Sequence, residues 1–221
     1  MATNVATNHQ SLKMMNFRSI WILIIIDALL LGSILTGLSF DGTILNILSK
    51  ITLLTSTAGI GIILVKFMNE IIPSHIKAIL VFWRVHHVLP GHRAFSELAN
   101  RDVRIDINVL QKKLGELPVN PDAQNKLWYR IYKKNEHDIR VQEAHRNYLL
   151  FRDCTSLTLI IAMIAIIFAI VIKAIISQWL FIILLVVVQF LLCALSARNT
   201  GIRFVQNVLA AECSKACEQK F

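Results

Sequence analysis

Side chains able to do chemistry are few in this chain of 221 residues, and they are scattered. His86, His87 and His92 lie close together, and His137 and His145 follow. A zinc site needs three or four donors converging at fixed spacing, and adjacent residues on a helix point about 100° apart, so the His86-His87 pair does not chelate in a simple way. No H-E-x-x-H or C-x-x-C completes a ligand set. The expectation is therefore no metal, with the histidines as surface groups titrating near neutral pH. Cys213 and Cys217 share one face of a tail helix, and Cys154 and Cys193 fall in or beside apolar runs; all four read as small packing thiols. There is no Gly-rich phosphate loop, no G-x-S-x-G and no carboxylate cluster, so no catalytic residue, no cofactor and no enzyme activity are expected.

One residue stands apart. Asp27 interrupts an apolar run, and a carboxylate inside a membrane span costs several kcal/mol unless it is protonated, paired or facing water. Lys50 is its obvious partner, placed by a helical hairpin roughly 9 Å nearer the outer surface. A structural ion pair, a neutral acid at a helix interface and a pore-lining group all remain open. Gln189 is the strongly polar residue of the last apolar run, suited to a hydrogen bond across a helix interface. Ser33-x-x-x-Gly37 and Thr57-x-x-x-Gly61 offer small faces for close helix packing or subunit contact. The run Trp128-Tyr-Arg-Ile-Tyr-Lys-Lys134 interleaves aromatics with cations. Its Trp128, Arg130, Tyr132, Lys133 and Lys134 suit contact with a membrane surface or a protein partner better than direct nucleic-acid binding, because the segment around it is only modestly basic.

These residues must be positioned by helices in two different solvents. Apolar residues make up 55% of the chain and charged ones 17%, with a mean hydropathy of +0.58, outside the range of soluble domains. The charge is concentrated: residues 66–153 hold 25 of the 37 Asp, Glu, Lys and Arg, whereas 154–197 hold Lys173 alone. A span needs about 20 apolar residues. Ser19 to Phe40, about Ile44 to Val65, Cys154 to Ile172 and about Trp179 to Ala197 meet or approach that length, although Lys50 and several Thr, Ser and Gly dilute the second. A signal peptide competes for the first run, but the run is longer than a usual signal core and no A-x-A-like site follows. With the amino terminus inside, all but two of the 23 Lys and Arg fall on the inner side, Lys50 and Lys173 being the exceptions. The fold class expected is thus an all-α, multi-pass membrane protein with four spans in two hairpins. Residues 1–18 form a cytoplasmic tail, 19–65 the first hairpin, 66–153 a cytoplasmic helical insertion, 154–197 the second hairpin and 198–221 an amphipathic tail helix.

Within the insertion, Pro73 ends or kinks the preceding helix. Ile76, Leu80, Phe82 and Trp83 suit the apolar side of a surface helix that Pro90-Gly91 stops. Asn120-Pro121 starts a helix with Leu127, Trp128, Ile131 and Tyr132 at helical spacing. Residues 102–109 alternate like a strand, but Asp106 capping a helix explains them equally well and is favoured. A helix from about Ile139 runs unbroken into the third span. Ile202, Val205, Leu209, Cys213 and Ala216 line one side of the tail helix. Once membrane-proximal turns are set aside, about 60–70 residues remain, too few for an independent catalytic domain.

Arg93-Ala-Phe, Asp102-Val-Arg-Ile-Asp106, Gln124 to Tyr132, His145 to Asp153 and Ala197 to Val205 are similar to stretches of uncharacterised bacterial membrane proteins. The design resembles the small multi-span effectors of bacterial anti-phage systems such as retrons and cyclic-nucleotide-activated defence. The likeness covers most of the chain after residue 84 and rests on no catalytic motif. It implies an inner-membrane effector that is triggered by a cytoplasmic protein or protein–nucleic-acid sensor complex and then perturbs membrane integrity or ion permeability; the small-residue faces add the expectation of a homo-oligomer in the lipid bilayer. A membrane anchor or scaffold for a cytoplasmic complex, and a small transporter, are the rival readings.

Overall fold

A computed structural model describes residues 16–35, 67–172 and 176–218. The apolar run at 44–65 lies outside them, as do Gly37, Lys50, Thr57, Gly61 and Lys173. Among the described residues every regular element is helical. Helix α1 covers Phe17–Leu35, α2 Ser74–Phe82, α3 Ile107–Leu114, α4 Pro121–Asn135, α5 Ile139–Ile172 and α6 Ile176–Glu218. Short turns of 3-10 and π type fill Pro90–Arg101 between α2 and α3.

Local chemistry sets most of the boundaries. Asp106 accepts from the N–H groups of Asn108 and Val109 at 2.8 and 3.3 Å, so the alternating stretch before α3 is a capped helix start and not a strand. Asn120 does the same for α4 through Asp122 and Ala123, with Pro121 at the first helical position. The stop of α2 departs from expectation. Trp83, in the left-handed region at φ 53°, closes that helix by donating its N–H to Ile79 O. Pro90-Gly91 instead opens the 3-10 turn. On the protein-facing side of α2, Lys77, Ala78, Val81 and Phe82 are buried, while Ile76 and Trp83 are 47% and 53% exposed. Lys77 meets a carboxylate of α5 there.

Helices α5 and α6, of 34 and 43 residues, contain no proline and a single glycine, Gly201. Both are long and apolar enough to cross a membrane. Each has two distinct parts. In the charged layer, Val141 and Ala144 of α5 and Val205, Val208 and Leu209 of α6 join Leu98, Leu110, Trp128 and Ile131 in one core. Leu98, Leu110, Ile131 and Leu209 are at most 1% exposed, and burying an aliphatic side chain of that size contributes about 1.5–3 kcal/mol. Beyond the layer the same helices turn large apolar side chains outward, among them Ile167, Leu184 and Leu192 at about 60% exposure. Only 17% of the most apolar stretch of α6 is buried, which is unlike the core helix of a soluble domain. Helix α1 packs on this apolar part, Ile24 meeting Leu157, Ile160 and Ile161 of α5.

Candidate functional site

Among the described residues, polar side chains gather at several places along this frame. The first is within the apolar part, where the Gln189 side-chain amide donates to both carboxylate oxygens of Asp27, at 3.1 and 3.0 Å. Asp27 is 8% exposed. The interaction joins α1 to α6 and gives the carboxylate a neutral hydrogen-bond partner. Lys50, the partner expected from hairpin arithmetic, lies outside the described residues.

The second is a buried polar band where the charged layer meets the apolar part. Lys77 Nζ stands 3.3 Å from Asp153 Oδ1, with side chains 4% and 2% exposed. Arg152 reaches the same oxygen at 3.0 Å. Burial pushes the Lys77 ammonium below its ordinary pKa, and Asp153 opposes that shift. One turn on, Ser156 donates to Asn69, and Thr155 and Thr158 return their hydroxyls to the backbone carbonyls four residues earlier. Asp153 is the shared member of the band: its removal strands the buried Lys77, whereas Arg152 still pairs Asp153 when Lys77 is removed.

The third is a cavity of about 470 Å³ in the charged layer, within the roughly 300–1,000 Å³ range of small-molecule sites. Its walls come from four helices and the turn at residues 89–91: Ser74 and His75 of α2, Trp128, Tyr132 and Lys133 of α4, His145, Tyr148 and Arg152 of α5, and Gly201 and Phe204 of α6. The aromatic packing is specific. His145 stacks on Phe204 with centroids 4.5 Å apart and planes 9° apart, and its Nδ1 lies 3.2 Å from Tyr132 Oη. His145 sits nine residues before Cys154, where the apolar run begins, about 13 Å along the helix. Burial, followed by the nearby Arg152 and Lys133 charges, pushes its pKa down to about 4. Two wall cations already have counterions, Lys133 with Glu136 at 2.9 Å and Arg152 with Asp153. The cavity is therefore mainly apolar, with aromatic rings and a few polar side chains in its wall, suited to an amphipathic guest.

The predicted partner-contact residues divide between roles. Trp128 is 8% exposed and belongs to the core, edge-on to Phe204 at 5.3 Å, so it is not the free aromatic face that the sequence pattern suggested. Its burial follows from its place on the same helical stripe as Gln124 and Ile131, the side of α4 that faces α6. Tyr132 is half-buried and lines the cavity with Lys133, whereas Arg130 and Lys134 are exposed and do not. Ser33 lies in α1, whereas Gly37, Thr57 and Gly61 fall outside the described residues. Cys213 is buried, with Sγ 3.6 Å from Asp106 O.

Sequence reasoning missed Gln124 and Asp122. Gln124 is 1% exposed; its Oε1 accepts from Phe95 N, Ser96 N and Ser96 Oγ, and its Nε2 donates to Val119 O, so one side chain satisfies the irregular turns. Asp122, at the start of α4, meets His87 and His92 at 3.4 Å each. The chain matches no protein-family model, no curated protein and no solved structure.

Proposed function

We propose that this chain is a bacterial inner-membrane effector with four spans in two hairpins, both termini and the charged layer in the cytoplasm. A cytoplasmic sensor partner acts on the layer, and the oligomerised spans then perturb membrane integrity or ion permeability. One observation carries the reading: α5 and α6 pass without interruption from the core of the charged layer to an outward apolar surface. A helix broken at the boundary would isolate the two regions, whereas an unbroken one transmits a shift. The cavity between α2, α4, α5 and α6 is the place where a bound guest would bear on both long helices at once. The Asp27–Gln189 pair supplies a polar point among the spans at which ion passage would be controlled. The anti-phage setting is supported by the sequence resemblance.

The test is strong induction of the full chain in bacteria with a voltage-sensitive dye and growth as readouts. Depolarisation and growth arrest are expected, and Asp27→Asn is expected to alter ion flux at equal membrane abundance. If induction, with or without neighbouring genes of the natural operon, leaves potential and growth intact, the effector reading fails. If activity survives replacement of 154–197 by an unrelated membrane hairpin, the protein is an anchor for a cytoplasmic complex instead.

A further inference from the structure

We propose that His87, His92 and Asp122 form a binding site for a zinc-class divalent cation, on the face of the charged layer where the segment after α2 meets the start of α4. The three side chains bring one donor atom each to within 4.8 Å of one another. Asp122 Oδ1 lies 3.4 Å from Nδ1 of His87 and 3.4 Å from Nδ1 of His92. Zinc bonds of about 2.0–2.1 Å in tetrahedral geometry place neighbouring donors about 3.3 Å apart. Two edges of the ligand triangle therefore already have the required length, and a modest ring rotation closes the third. Two imidazoles and one carboxylate are the donor set that borderline ions such as zinc, cobalt and nickel accept, whereas calcium and magnesium demand oxygen-rich shells.

The backbone supports the convergence independently. His87 holds φ at 48°, the left-handed region that a non-glycine residue adopts at a cost of order 1–3 kcal/mol. That conformation turns its ring toward His92, with centroids 5.1 Å apart. His92 is anchored in the 3-10 turn, its side chain 15% exposed and Nδ1 3.2 Å from Pro121 O, a contact that coordination through Nδ1 would replace. Asp122 is set by the Asn120 cap, which accepts its N–H at 2.9 Å. With Asp122 64% exposed, the outer side of the triangle is open, leaving a fourth position for water. An ion here would cross-link the segment that follows α2 to α4.

Full-length protein carrying a tag without histidine, purified in detergent and stripped with EDTA, is titrated with zinc against a chromophoric chelator. Cobalt is added in parallel to read tetrahedral geometry from its visible spectrum. One equivalent of zinc is expected at the site. His87→Asn, which tolerates the left-handed backbone, and Asp122→Asn, which keeps the helix start, should each weaken binding about tenfold or more, since losing even an outer-shell partner costs 10–100-fold. His137→Gln should change nothing, and the metal-free variants should melt as the parent does. Absence of zinc uptake, or uptake that both ligand variants retain at parental affinity, overturns the proposal and leaves a hydrogen-bonded histidine–carboxylate cluster.

Discussion

Removing the Asp153 charge should damage this protein far more than removing its partner's. Lys77 and Arg152 both address Asp153 Oδ1, at 3.3 and 3.0 Å, with side chains 4% and 12% exposed around a carboxylate 2% exposed. At an effective dielectric of about 20 each attraction is about 5 kcal/mol before desolvation is subtracted. Asp153→Asn removes both attractions and leaves two cations facing each other, one of them buried with only the more distant charge of Glu70 to offset it, a loss of about 3–5 kcal/mol. Lys77→Met removes a buried charge together with its desolvation cost, fills similar volume and leaves the Asp153–Arg152 pair intact. Its expected cost is within about 1 kcal/mol. For a chain of this size 1 kcal/mol moves the melting temperature by about 2–4 °C, so Asp153→Asn should lower it by about 6–20 °C and Lys77→Met by less than about 4 °C. Adding Lys77→Met to Asp153→Asn should recover part of the loss, with a coupling above about 1 kcal/mol. Thermal unfolding in detergent, followed by tryptophan fluorescence, measures all three. Equal damage from the two single substitutions, or none from either, would refute the asymmetry and with it the two-cation reading of the band.

Two further outcomes follow from the cavity wall. His145 is held neutral, its pKa about 4 against an ordinary value near 6.5, so the unfolded chain binds the proton first. Its contribution is fully present above about pH 6.5 and is lost as pH falls toward 4, by up to about 3 kcal/mol; His145→Gln should flatten that part of the stability–pH curve. A Cβ at Gly201 would stand 2.9 Å from Phe82 Cζ and 3.1 Å from Tyr148 Cδ2. Gly201→Ala therefore gains about 0.5–1 kcal/mol of helix propensity and loses about 1–3 to overpacking, a net fall in melting temperature that Phe82→Leu should relieve.

What the sequence made readable was local. The caps at Asp106 and Asn120 are legible because a capping side chain reaches only two or three residues. The unbroken α5 and α6 are legible because nothing between Ile139 and Ile172 or Ile176 and Glu218 breaks a helix. Val205, Leu209 and Cys213 fall on the buried side of the tail, as their spacing predicts. Pairings across long separations are a different matter. Lys50 is the sequence-near candidate for Asp27, yet the partner in hand is Gln189, 162 residues away, on a helix whose position no periodicity reports. By sequence Asp122 is only an acid in the first turn of α4, and the segment that brings His87 and His92 to it takes left-handed backbone at Trp83 and His87 without glycine to announce it. The inward turn of Lys77 on α2 is of the same kind, because the carboxylate it meets lies 76 residues on.

The length of α6 has a mechanical consequence. Forty-three residues at 1.5 Å each make a rod of about 65 Å. If its end in the charged layer is held as a pivot, a tilt of only about 5° swings the far end by about 5–6 Å, more than twice the 2.3 Å radius of the helix backbone. A rearrangement too small to disturb the packing of Val205 and Leu209 thus arrives at the other end of the same helix as a displacement large enough to part neighbouring rods.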